Sequence, residues 1–379
     1  KDLGKRVVPI VADEARTFGM QSLFRQVAIY SPFGQLYAPE DRDELLYYKE
    51  AKNGQILEEG ITEAGAISSW IAAATSYSTH GKTMLPFYIF YSCFGFQRIG
   101  DLVWTAGDSR ARGFLLGATA GRTTLSGEGL QHEDGSSHLL FSTVPNCVAY
   151  DPTYGYEVVT IIQDGMKRML EKQHDVFYYV TVMNENYCHP SMPKDAEVGI
   201  IKGMYCLQKN KQSATAHAQL LGSGTILRET LAASELLKSD WKVSTDVWSV
   251  TSFTELRRDG LCIDRENMYN SNSPDKVTWV EKCLGSTIGP IIASTDYMRA
   301  VPDMIRTWVP RRYVTLGTDG YGRSDTRKSL RDFFEVDRFH ITLATLKALV
   351  AEGSIDKSVL SKALKKYGLK SDRPNPWDI

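Results

Sequence analysis

Short runs of β-branched and aromatic residues alternate with stretches rich in helix formers along almost the whole chain. Strands that recur with a helix-length spacer between them belong to α/β folds built on a mostly parallel sheet, so this alternation leaves few architectures open. Val7–Ala12 is followed by a helix-forming stretch over Thr17–Gln26, and Glu63–Thr75 predicts a helix before the aromatic strand Thr83–Tyr91. Phe96–Ala111 is amphipathic, Gly113–Ala118 and Pro145–Tyr150 read as strands, and a helix around Tyr154–Lys172 precedes the strand Val176–Val182. These five strands with their intervening helices predict one doubly wound domain.

The pattern breaks once. From Asn184 to Glu197 the chain turns polar, and Pro190 and Pro193 exclude a regular helix. A chain of 379 residues exceeds the usual ~100–200 of a domain. A boundary is therefore expected in this segment, giving domains over residues 1–195 and 196–379. The second half repeats the alternation with strands at Ala218–Leu221, Thr245–Val250, Pro290–Ser294 and Tyr313–Leu316. Helices are expected at Ile226–Leu237, Lys276–Cys283, Thr326–Phe334, Ile341–Glu352 and Lys357–Tyr367. The fold class is α/β, with two doubly wound domains.

Charge and composition remove several function classes. Lys and Arg number 44 against 45 Asp and Glu, so the chain has no overall positive excess with which to neutralise a nucleic-acid backbone. The longest apolar run, Leu85–Phe96, is shorter than the ~20 residues of a membrane-spanning helix and contains Ser92. The opening KDLGKRVVPIV lacks the pattern of a signal peptide and begins on Lys1, so the sequence is expected to start inside a longer chain. Six cysteines lie singly with no C-x-x-C spacing, as reduced thiols do, which points to the cytoplasm.

Familiar autonomous motifs fail on inspection. Gly81-Lys82-Thr83 resembles the end of a phosphate-binding loop, but Ser76 stands where that loop needs glycine. Gly222-Ser223-Gly224 opens a helix, yet Leu227 occupies the third glycine position of a dinucleotide fingerprint, so the glycines read as a tight strand-to-helix turn. No G-x-S-x-G elbow and no H-E-x-x-H pair occurs.

Other signals stay open between chemistry and structure. Asp13 and Glu14 stand at the carboxyl end of a strand, as either a solvated turn or a binding site. In GEGLQHEDG (127–135) three glycines free the backbone, and His132 lies among Glu128, Glu133 and Asp134, a setting for proton transfer or for a hydrogen-bonded loop. Glu63 opens a helix, where an acid also favours the helix dipole. Tyr91 and Phe94, at the end of the aromatic strand, either pack inward or face a planar ligand.

Taken together, DEARTFGM (13–20), EEGITEAG (58–65), ATSYST (74–79), PFYIFYSCFGFQRIGD (86–101), GRTTLSGEGLQHEDG (121–135), NENY (184–187), SVTSFTELRRDG (249–260) and LGTDGYGRSD (316–325) carry a likeness that runs nearly end to end. The chain resembles the homodimeric bacterial type of pyruvate dehydrogenase, the thiamine-diphosphate-dependent first component of its complex. The resemblance implies a transketolase-like architecture, with a pyrimidine-binding domain over 1–195 and a transketolase-type C-terminal domain over 196–379. By the same resemblance, Glu63 matches the glutamate that bonds the aminopyrimidine ring, Phe94 the aromatic that packs on its face, and Ile61 the bulky residue that props the cofactor in its bent form. His132 matches a histidine acting on the substrate, while Asp13, Glu14, Tyr91 and Glu128 match polar positions lining that pocket.

The implied reaction is decarboxylation of pyruvate with reductive acetylation of a lipoyl group on the dihydrolipoyl acetyltransferase component. The family holds magnesium and the diphosphate through a GDG motif, which this sequence lacks: Gln163-Asp164-Gly165 and Thr318-Asp319-Gly320 miss the leading glycine. No metal ligand is therefore expected here, and magnesium is expected in the N-terminal part of the family's chain. In this enzyme class the cofactor lies between the pyrimidine domain of one subunit and the diphosphate domain of the other, so the resemblance implies a homodimer. This polypeptide, which supplies half a site, is expected to be inactive alone. A transketolase-like sugar-phosphate enzyme would need basic residues around a phosphorylated substrate, which the acidic loop at 127–135 does not supply. A non-catalytic dimerisation or assembly module is the remaining alternative.

Overall fold

A computed structural model describes residues 3–12, 15, 18–40, 48–210 and 216–379. The chain packs as two compact units, the first made of residues 1–120, 140–148 and 164–182, the second of 121–139, 149–163 and 183–379. The packing units thus interleave in sequence. Segments 121–139 and 149–163, which precede residue 195, make their contacts with the later part of the chain.

A six-stranded sheet has the spatial order Leu57–Glu58, Val7–Val11, Leu85–Tyr91, Phe114–Ala118, Phe177–Thr181, Cys147–Tyr150. Val7–Val11 runs parallel to both of its neighbours, with Val11 beside Ile89 on one side and Glu58 on the other. Leu85–Tyr91 and Phe114–Ala118 continue in parallel, placing Tyr91 beside Ala118. The five expected strands are all present, and Leu57–Glu58 adds a short sixth at the edge. Central parallel strands are covered on both faces, and so they are apolar almost throughout. Trp70, fully buried on the helix Glu63–Ala74, donates its indole N–H to the Phe114 carbonyl at 3.1 Å. Phe141 stacks on Tyr179 with ring centroids 3.8 Å apart.

The expected helix over Thr17–Gln26 is reduced to a 3-10 turn at Gln21–Leu23 and one helical turn at Phe24–Val27, with residues 16 and 17 outside the described part. Ala28 at its end has φ 51°, a left-handed value that stops the helix.

In the second unit five strands lie in the order Tyr313–Leu316, Ile291–Ser294, His217–Gly222, Ser244–Val250, Met204–Gln208. The first four are parallel and Met204–Gln208 is antiparallel at the edge. Successive strand residues point to opposite faces. Accordingly, Leu220 and Ile292 pack with Leu227, Leu237 and Leu346, whereas Leu221 and Ile291 pack with Leu256, Val280 and Trp308. The sequence reading omits that edge strand and the 17-residue helix Phe253–Tyr269, along with short helices such as Glu197–Lys202. The Gly222–Gly224 segment is the expected turn, with Gly224 at φ 50° ahead of the helix Ile226–Trp241.

Candidate functional site

In the first unit, Gly60 (φ 77°) turns the chain after the edge strand, and the Thr62 hydroxyl accepts from the Gly65 N–H at 3.2 Å. That N-cap starts the helix at Glu63 and so fixes where its carboxylate stands. Glu63 is not an exposed first-turn acid: its side chain is 14% exposed and its Oε1 accepts from Arg98 Nη1 at 2.8 Å. The Arg98 guanidinium also lies 3.9 Å over the Phe94 ring. Phe94 sits in the 3-10 turn after the aromatic strand, and its ring meets Tyr91 edge-on with centroids 6.0 Å apart. Phe18 packs on Tyr91 at 5.1 Å. Ile61, 84% exposed, stands two residues before Glu63.

Glu63, Arg98, Phe94 and Tyr91 therefore form one cluster. A half-buried carboxylate beside an aromatic face can hold a flat heterocycle by one hydrogen bond and stacking. Arg98 is the member the sequence reading missed. Its signal was its place four residues after Phe94, at the start of the helix Phe96–Asp108. Asp13 and Glu14 lie outside the described residues.

The second unit holds Glu128 and His132. Glu128 Oε2 is 3.4 Å from His132 Nδ1, and His132 retains 23% side-chain exposure. The other two carboxylates of this loop do different work. Asp134 accepts from the Ser136 and Ser137 N–H groups at 3.0 Å each and from the Ser137 hydroxyl at 2.5 Å, anchoring the loop's exit. At its entry, Asp296 Oδ1 accepts from the Thr123 N–H (2.9 Å) and hydroxyl (2.6 Å), and Oδ2 from the Thr124 hydroxyl (2.6 Å). Burial pushes the Asp296 carboxyl up, against the pull of Arg331 and these three donors.

Glu133 is 5% exposed and neither oxygen makes a well-formed hydrogen bond. Burial pushes its carboxyl up to about 8, opposed by the Arg323 backbone N–H and Arg122 and reinforced by Asp296. An acid neutral in the folded state but ionised in the unfolded state costs stability as pH rises from its ordinary 4.5 toward 8. Glu133→Gln is therefore expected to remove a slope of up to about 1.4 kcal/mol per pH unit in that window. Urea unfolding of both proteins at pH 5, 6.5 and 8 measures the difference; parallel curves would mean that Glu133 ionises normally.

Among the described residues, the one acidic and histidine group close enough to share a metal ion is Asp332, Asp337 and His340. Each of its members already has a protein partner. Asp337 caps the helix Arg338–Ala351 through the Phe339 and His340 N–H groups, His340 Nδ1 lies 2.8 Å from the same carboxylate, and Asp332 pairs with Arg373 at 3.0 Å. The cluster is a helix cap and does not fit a magnesium site. A cavity of about 700 Å³ beside it is lined by Arg228, Arg331 and Arg338, which are bonded to Glu185 and Glu229.

Two α/β units, one of them with an antiparallel edge strand, make a transketolase-like fold. The solved transketolases from Campylobacter jejuni and Leishmania mexicana match with TM-scores of 0.65 and 0.66 at 15% and 14% identity, over 90% and 93% of this chain. They share the fold; the match takes in 44% and 43% of their own chains. A chain described as "split gene transketolase, inactive beta4 tetramer" matches over 94% of its length with a TM-score of 0.59. Residues 1–190 match the family model for the pyruvate dehydrogenase E1 component middle domain, and residues 203–337 that for the transketolase-like C-terminal domain. The pyruvate dehydrogenase E1 components of Pseudomonas aeruginosa and Escherichia coli K12 are 62% and 54% identical over 100% and 99% of this chain. The chain belongs to the pyruvate dehydrogenase E1 component family. It spans about two fifths of the length of those relatives, 43% and 42%. Among the described residues no helix is long and apolar enough to cross a membrane.

Proposed function

We propose that this chain supplies the pyrimidine-binding and C-terminal domains of a cytoplasmic, homodimeric pyruvate dehydrogenase that uses thiamine diphosphate to decarboxylate pyruvate. The reading extends to reductive acetylation of the lipoyl group on a dihydrolipoyl acetyltransferase partner. The observation that carries it is the joint placement of Glu63 and Phe94 around Arg98, a carboxylate and a ring face that suit an aminopyrimidine.

When bound, thiamine diphosphate supplies a carbon nucleophile and a sink for the electron pair left by departing carbon dioxide. Glu63 holds a proton between its carboxylate and a ring nitrogen. Phe94 offers a flat apolar face, and Ile61 offers exposed bulk that would support the cofactor when bound. His132, with Glu128 beside it, orients the substrate and gives or takes a proton on it. Asp13, Glu14 and Tyr91 match polar positions that line the pocket in the family. Magnesium ligands belong to the N-terminal domain of the complete enzyme, in keeping with the protein partners that Asp332, Asp337 and His340 already have.

The test is carbon dioxide release from pyruvate with thiamine diphosphate and magnesium, by this chain alone and with the family's N-terminal portion added. Turnover is expected only in the second mixture. Turnover by the chain alone would overturn the division of the site, and none in either would overturn the reaction.

A further inference from the structure

The loop at 122–135, which carries Glu128 and His132, leaves and rejoins the second unit at nearly one point. The guanidinium of Arg122 at its entry lies against Gly135 at its exit, so closely that a Cβ there would find no room. Arg122 Nη1 donates to the Thr318 carbonyl at 2.6 Å and also to the Gly320 carbonyl. Further along, the Leu130 carbonyl lies against Gly322. Both ends of the loop thus meet the turn after the strand Tyr313–Leu316 through one side chain. Between these supports Glu128, Leu130 and Gln131 are exposed.

We propose that Arg122 is a positioning residue for His132: it clasps the base of the 122–135 loop to the 317–323 turn and so fixes where the imidazole stands. The inference rests on the role proposed above for His132. Asp296 fixes the backbone at 123–124 and Asp134 fixes it at 136–137. Neither side chain spans the base. Backbone bonds hold the entry and the exit separately, from the Arg122 N–H to the Asp296 carbonyl at 3.2 Å and from the Met298 N–H to the Gly135 carbonyl at 2.9 Å. The Arg122 guanidinium, in contrast, touches the exit of the loop and the 317–323 turn at once. Burial pulls this guanidinium down, while Asp134, Asp296, Glu133 and Asp319 hold it charged. The two hydrogens of Nη1, fixed in the guanidinium plane, serve both carbonyls, which a lysine ammonium on a flexible stem does with less definition.

The test uses the complete enzyme and has two arms. In the kinetic arm, reductive acetylation is measured for His132→Ala, Arg122→Ala and the double variant. Each single change is expected to slow it, Arg122→Ala by about 100-fold, the cost of a displacement near 1 Å in a catalytic group. The double variant is expected to be no slower than His132→Ala, since a clasp has nothing left to position. In the second arm, amide hydrogen exchange without substrate is expected to quicken across residues 126–132 in Arg122→Ala while the sheet strands keep their protection.

Arg122→Lys, which retains charge with fewer fixed donors, is expected to lie between the two and guards against simple misfolding. Wild-type acetylation by Arg122→Ala, or effects that multiply in the double variant, would overturn the proposal. If His132→Ala acetylates normally, the role given to His132 is what fails, and the exchange arm alone decides whether Arg122 holds the loop; unchanged exchange would then reject it.

Discussion

Glu63→Gln in the complete enzyme is expected to slow hydrogen–deuterium exchange at the thiazolium carbon of thiamine diphosphate by about 10²–10⁴-fold, the usual contribution of a positioned acid–base group. The substitution keeps size and shape while removing the group that shares a proton with the ring nitrogen. It also replaces the charged acceptor of the 2.8 Å bond from Arg98 with a neutral amide oxygen, so that an ion pair becomes a bond from the cation to a neutral acceptor. Cofactor binding is expected to fall much less than exchange, because Phe94 and Ile61 remain. Quenched-flow exchange read by proton NMR measures the first quantity and a titration the second. A wild-type exchange rate would remove Glu63 from the activation step.

The largest expected effect on stability is at Arg331. Its side chain is 7% exposed, with Nη2 2.5 Å from Glu185 Oε2 and Nη1 3.6 Å from Glu229 Oε1. Burial lowers the Arg331 guanidinium, but Glu185, Asp296 and Glu229 more than restore it and the net direction is up. Removing one partner of a buried ion pair strands the other charge, at a cost of about 3–5 kcal/mol. Arg331→Met is expected to lose that much in urea unfolding of this chain. Pairing it with Glu185→Gln is expected to recover part of the loss, because one stranded carboxylate is gone. Arg228, 2.6 Å from Glu185, and Arg338, 2.8 Å from Glu229, limit the damage. A loss below about 1 kcal/mol would mean the network behaves as a solvated surface cluster.

How much of this was legible in the sequence depended on whether a residue's partner is local. Parallel strands buried on both faces write themselves as continuous apolar runs, and Thr83–Tyr91 or Tyr313–Leu316 could be placed almost to the residue. The helix Phe253–Tyr269 was passed over because nine of its seventeen residues are charged or Asn and Thr, which hides its buried face. Its start was nonetheless written: Ser252 accepts from the Glu255 N–H at 2.9 Å, a cap with an acid three residues on. Met204–Gln208 is paired on one side alone and mixes polar with apolar residues, as edge strands do.

In the site, the cluster of Glu63, Arg98 and Phe94 spans only 35 residues and left traces in local spacing. The loop at 127–135 was visible as three acids around a histidine, but their separate fates were not. Glu128 faces His132, Asp134 caps a turn and Glu133 is buried without a well-formed bond. Sequence shows that charges are close; only packing against residues far along the chain decides which are solvated.

That distance also sets a clock. Thr123 and Asp296 are 173 residues apart, and Arg122 and Thr318 are 196 apart. At a ribosomal pace of about 5–20 residues per second, the segment bearing His132 waits roughly ten to forty seconds after its own synthesis before its anchors exist. During that interval Leu130 and its neighbours have nothing from the later strands to rest on, so a nascent chain stalled before Asp296 should expose this stretch to chaperones and proteases.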